Sequence, residues 1–169
     1  MFKFVKKIFK RKILMRREDV ARLGVNIGHD CEIYDDVNFG SEPYLISIGD
    51  HVRITRGCKF VTHDGAVWVA RKLYNKPNID LVKPIVIKNN VHIGMNSIIM
   101  PGVTIGDNVI IGCGAVVTKN IPSGEIWGGV PARKISTVNE YYKKHFCEFI
   151  ETKSMDCNEK KTYLINKFR

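Results

Sequence analysis

Residues 84–119 read PIVIKNNVHIGMNSIIMPGVTIGDNVIIGCGAVVTK. Ile87, Ile93, Ile99, Ile105, Ile111 and Val117 recur every six residues. Val91, Ser97, Val103, Val109 and Ala115 follow the first five of them at a spacing of four. Gly follows Ile at Ile93-Gly94, Ile105-Gly106 and Ile111-Gly112. Neither the helical period of 3.6 nor the strand period of 2 yields six. A six-residue unit fits a short strand and a sharp turn, with the aliphatic residue and the small or β-branched residue four later both pointing inward. Three units close one triangular coil, and the next coil stacks about 4.8 Å away. Like residues then stack on like, and each coil touches only its neighbours. Glycine after isoleucine suits a crowded position or an unusual backbone angle.

Outward from this stretch the same period continues. Ile27, Ile33 and Phe39 make one coil, and Ile48, Ile54 and Phe60 make another. The segment GSEPYLIS interrupts the count, and the 24 residues Val61–Pro84 leave it. With register kept in phase, three interior ladders are expected. They are Ile27/Ile48/Ile87/Ile105, Ile33/Ile54/Ile93/Ile111 and Phe39/Phe60/Ile99/Val117. A loop as long as 61–84 is usually functional or disordered. This one carries His63, Asp64, Trp68, Arg71 and Tyr74, a rich set for a spacer.

The flanks differ from the array. Residues 1–17 hold eight Lys/Arg and no acid, whereas 18–134 hold twelve of each sign. The net charge of +10 therefore belongs to the flanks, and the array is not read as a nucleic-acid binder. Residues 1–25 are expected to form a basic amphipathic helix. It would lie on anionic lipid through residues 1–17, or pack on the β-coil end or a sister subunit. No run approaches the ~20 apolar residues of a membrane span, and no secretory leader is evident. Five cysteines without a CxxC pair favour a reducing compartment, with Cys31 and Cys58 as small inward hydrophobes. In the tail, 136–169, apolar residues from Val138 to Phe149 have helical spacing and are expected to cover the open sheet edge. The last dozen residues are polar and are expected to fray.

Four features together resemble one family: the repeat array from about Asn26 to Ile135, Thr62-His63-Asp64-Gly65 on the departing loop, Val116-Val117-Thr118-Lys119, and Gly128–Ile135, GGVPARKI. The chain is similar to the hexapeptide-repeat acyltransferases, and within them to the maltose/galactoside and the capsule/exopolysaccharide O-acetyltransferases. The resemblance implies a left-handed parallel β-helix, here of four to five coils spanning 26–135. It implies a homotrimer with active sites between subunits and acetyl-CoA as acyl donor with no metal, while the cysteine usage leads to the expectation of a cytoplasmic setting (in reach of the inner membrane face). The activity implied is acetyl transfer to a sugar hydroxyl in capsule, exopolysaccharide or lipopolysaccharide synthesis, by direct attack and without an acyl-enzyme.

The same resemblance assigns residues. His63 matches the loop histidine that takes the acceptor proton, and imidazole chemistry suits that task near neutral pH. Lying three residues after Phe60, it should face outward at a corner. Met95 is carried over as a backbone donor to the thioester oxyanion. Cys113, Thr118 and Lys119 match contacts of the pantetheine arm. Arg133 and Lys134 suit the CoA phosphates. Asp35, Asn38 and Glu42 of the early coils, with Asp64 and Trp68 of the loop, are the acceptor-side candidates. His29, His51, His92 and His145 are weaker ones, His92 standing where relatives often place an aromatic. Two other activities on the same fold are N-transfer to an amino sugar or xenobiotic and a γ-class carbonic-anhydrase-like zinc protein. The second needs three converging histidines, and the His-x4-His pair is missing.

Overall fold

The computed structural model of the protein describes residues 14–169. The helix expected over 1–25 lies, for residues 1–13, outside the described residues, and with it most of the lipid-facing stretch 1–17. In the described part Leu14–Met15 form a strand, β1, and a helix, α1, spans Arg17–Arg22. Asp19 bridges Arg16 and Arg22 at 3.2 Å each, and Val20 is buried. Arg17 Nε donates to the Gly28 carbonyl at 2.9 Å, which ties the helix to the first coil.

The remaining strands are short. They are β2 (Asn26–Ile27), β3 (Glu32–Tyr34), β4 (Ile46–Ile48), β5 (Val52–Ile54), β6 (Lys59–Phe60) and β7 (Ile85–Ile87). After them come β8 (Val91–Ile93), β9 (Ile98–Ile99), β10 (Thr104–Ile105), β11 (Val109–Ile111), β12 (Val116–Val117), β13 (Glu125–Gly128) and β14 (Arg133–Thr137). They form three sheets, ordered β2-β4-β7-β10, β1-β3-β5-β8-β11-β13-β14 and β6-β9-β12. Successive strands visit the sheets in rotation, and pairing along the coil is parallel. The three expected ladders are all present. Ile27 pairs Ile48, Ile48 pairs Ile87 and Ile87 pairs Ile105. Ile33 leads through Ile54 and Ile93 to Ile111, and Phe60 through Ile99 to Val117. Phe39 stacks on Phe60 with centroids 5.4 Å apart. Each buried Ile contributes roughly 1.5–3 kcal/mol relative to exposure, so the interior columns dominate stability.

The glycines after isoleucine stand there for space. A Cβ on Gly28 would lie 2.4 Å from Asp50 Oδ1, and one on Gly49 would lie 2.5 Å from Asn89 Oδ1. Those oxygens belong to a polar ladder on the corner after the first sheet. Asp50 accepts from His29 N at 2.7 Å, Asn89 from Asp50 N at 2.9 Å, and Asp107 from Asn89 N at 3.0 Å. Ser123 Oγ then accepts from Asp107 N at 2.9 Å. The left-handed backbone angles fall one residue further on, at Asp30, His51, Asn90 and Asn108. Asn and Asp tolerate this region best, which explains their repetition there. Cys58 is buried as expected, whereas Cys31 is only half-buried, its thiol 3.3 Å from the Gly49 carbonyl. Burial raises both thiol pKa values.

Both edges of the seven-stranded sheet end in an antiparallel strand, β1 on β3 and β14 on β13. The edge expected to need the helical tail is thus covered by β14 from within the unit that ends at Val138. Asn139–Arg169 form a second unit. A helix, Val138–His145, leads into it, and Tyr141, Tyr142, Phe146 and Phe149 cluster there by ring contacts. Over the terminal residues expected to fray, Cys157–Phe168 form a further helix, with Asp156 and Glu159 closing a reciprocal capping box.

Candidate active site

The break after β6 is closed at its root by strand-like pairing. His63 bridges Val82 antiparallel, Lys83 N donates to Thr62 O at 2.8 Å, and Asp64 N donates to Leu81 O at 2.8 Å. Between these ends lies a helix, Val67–Leu73, that the sequence reading treats as loop. Asp64 Oδ1 accepts from Ala66 N at 2.9 Å and turns the chain into it. Arg71 pairs with Asp80 and donates to Ile79 O at 2.8 Å, so the excursion folds on itself.

The earlier interruption, Gly40–Leu45, comes to meet this root. Pro43–Leu45 make a single 3₁₀ turn, and Glu42 precedes it. Glu42 Oε2 lies 3.0 Å from His63 Nδ1 and 2.5 Å from Thr62 Oγ1. Ser41 Oγ is 3.2 Å from the same ring nitrogen. The hydrogen bond from Thr62, then that from His63, pulls the Glu42 pKa down to about 2. An ionised carboxylate only accepts, so the hydrogen of a neutral His63 resides on Nδ1. Nε2 then carries the lone pair. The histidine is solvent-facing, as its corner position implies, with 47% of its side chain exposed. A cleft of about 490 Å³ opens beside it, lined by Glu42, His63, Asp64, Trp68 and also Tyr44, which the sequence reading passes over. Trp68 and Tyr44 are among the most exposed aromatic side chains here.

The other assigned residues are distributed by the coil. Val61, Met100 and Thr118 stack on one corner, since Val61 N donates to Ile99 O and Met100 N to Val117 O. Thr118 and Lys119 therefore sit two strand spacings, about 10 Å, along the edge from the root of His63. Met95 and Cys113 are exposed on the preceding corner, where Gly114 N donates to Met95 O at 2.7 Å. Asp35 shares that corner beside Arg56, at 3.7 Å. Arg133 and Lys134 lie on β14, where Lys134 Nζ is 2.6 Å from Glu125 Oε1. Glu125 also accepts from Trp127 Nε1 at 2.7 Å, and these bonds, Lys134 first, lower its pKa. Glu42 reaches the histidine and not only the acceptor side. His92 is half-buried in β8 beside Arg53, and its pKa is lowered, by burial first and then by that guanidinium. His145 pairs with Glu148 at 2.7 Å in the second unit. Among the described residues no three His, Cys, Asp or Glu converge as a metal site.

Residues 84–119 match the family model of the bacterial transferase hexapeptide, six repeats. Over 171 aligned positions the chain is 52% identical to Protein CapG of Staphylococcus aureus, covering all of this chain and 97% of that one. The chain belongs to the hexapeptide-repeat acyltransferases. It is also 38% identical to the galactoside O-acetyltransferase of Escherichia coli K12, over 73% of this chain and 60% of that enzyme. A hexapeptide-repeat acetyltransferase of Vibrio cholerae, solved with acetyl coenzyme A, superposes with a TM-score of 0.55 at 27% identity. That match covers 70% of this chain and 74% of the other. By this kinship the chain is an acetyltransferase, and the coil of a hexapeptide-repeat enzyme is the left-handed β-helix.

Proposed function

We propose that the protein transfers an acetyl group from acetyl-CoA to a sugar hydroxyl, with His63 as general base. The observation that carries this is the Glu42–His63 contact at 3.0 Å, which leaves Nε2 as acceptor at the mouth of a cleft. The acceptor hydroxyl gives its proton to Nε2 as its oxygen attacks the thioester carbonyl carbon. Negative charge develops on the carbonyl oxygen, and the backbone N–H of Met95 would stabilise it. The carbon–sulfur bond then breaks, and the imidazolium returns the proton to the CoA thiolate. Glu42 sets the tautomer and favours the transient imidazolium.

Met95 and Cys113 lie on a different corner from His63, which supports a homotrimer in which one subunit's base faces the donor track of its neighbour. Thr118 and Lys119, on the corner that carries His63, would flank the same CoA arm, and Arg133 would meet its phosphates. Lys134 is already paired with Glu125 and is the weaker phosphate ligand. Kinship with Protein CapG and with a galactoside O-acetyltransferase supports a glycan acceptor in capsule or exopolysaccharide synthesis.

CoA release with a panel of sugars tests the reading. The variant His63→Ala should bind acetyl-CoA as the wild type does yet lose about 10²–10⁴-fold in turnover. Unchanged kinetics in that variant would overturn the assignment.

A further inference from the structure

Two clefts share one wall. Beyond Gly40–Pro43 from the His63 cleft lies a second, of about 400 Å³, lined by Leu23, Asp36, Asn38, Phe39 and Pro43. Glu42 lines the first cleft and Pro43 the second, and consecutive Cα atoms are about 3.8 Å apart. The second cleft mixes apolar surface from Leu23 and Pro43 with the polar groups of Asp36 and Asn38. Asp36 lies 3.5 Å from Arg56, which offsets its charge. Asn38 Oδ1 accepts from Gly40 N at 2.8 Å, so its amide NH₂ is the group that can donate to a ligand. Apolar surface with a few placed polar groups suits a sugar ring, which offers C–H faces and hydroxyls together. The direction also fits. Asn38 pairs with Lys59 on the side of the first coil, whereas Thr118 and Lys119 extend the same edge the other way.

We infer that the acceptor is a glycan of two or more linked units, the reacting sugar at His63 and its neighbour in the Asn38 cleft. This rests on the sugar-hydroxyl reading above and specifies it. The test uses acetyl-CoA with matched acceptors of one, two and four units of galactose, glucose and N-acetylglucosamine. In the best series kcat/KM should rise about tenfold from one unit to two, the worth of one modest contact of ~1.4 kcal/mol. Leu23→Trp, which fills the second cleft, should abolish that gain through KM alone, with the single-sugar rates unchanged and melting curves confirming its fold. Equal kcat/KM for one and four units, or equal losses on both in Leu23→Trp, would overturn the subsite. Acetylation of no member would instead sink the sugar-acceptor reading itself.

Discussion

Residues 84–119 and residues 40–84 are built on the same ladders but spend their outward side chains differently. In the unbroken stretch the polar corner groups bond to the neighbouring coil, as Asn89 does with Asp50 and Asp107. At the two interruptions, 40–45 and 61–84, they leave the stack and meet one another, as Glu42 does with Thr62 and His63. Periodicity satisfies polar groups within the column, and a break in it frees them to form a site. In this fold chemistry belongs where the period fails.

Ile93→Asp tests the regular half of this contrast most severely. Ile93 is fully buried between Ile54 and Ile111. An unpaired carboxylate there should cost about 4–5 kcal/mol or more, a large part of a typical domain's stability. The expected outcome is loss of soluble protein or of the cooperative thermal transition, and a wild-type melt would break the stacking account.

Glu42→Gln tests the interrupted half with a smaller effect. Replacing the charged acceptor of His63 by a neutral one should lower kcat roughly 10-fold with little change in KM. The pH signature has a fixed sign. A carboxylate held at about 2 adds stability that is complete above its ordinary value near 4.5 and is lost as pH falls through about 2. The stability difference between wild type and variant should therefore be flat above about pH 4.5 and shrink below it. A constant difference down to pH 2 would sever Glu42 from His63 and Thr62.

Asn89→Ala should have the least effect. It removes bonds on an exposed corner, at about 1 kcal/mol each, so the melting temperature should fall by a few degrees while kcat is unchanged. A kcat loss exceeding the stability loss would blur the division between scaffold and site.

The interior was legible because its period is rigid: one residue of slip would turn Ile93 outward, so the ladders follow from counting. The outward corner position of His63 was legible from its place three residues after Phe60. The Glu42–His63 contact was not, because it spans 21 residues of chain and is made by two irregular segments that no period describes. Thr62 and Ser41 were missed for the same reason. The helix Val67–Leu73 begins without a side-chain cap, so nothing in the string announces it. The terminal helix did carry a signal, Asp156 and Glu159 three apart, that its polar composition concealed. Counting by eighteen also places Met95 with Cys113 and away from Thr118, a division visible only once full coils are aligned.

The antiparallel root at His63 and Val82 has an evolutionary consequence. Both ends of the excursion return to adjacent points on one corner, and register resumes through Phe60 and Ile99 whatever lies between. By loop-closure entropy, doubling the length of such a segment costs only about 0.6 kcal/mol. The segment is therefore an exchangeable cassette: residues 64–81 can change in length and composition while His63 and the coil stay in place.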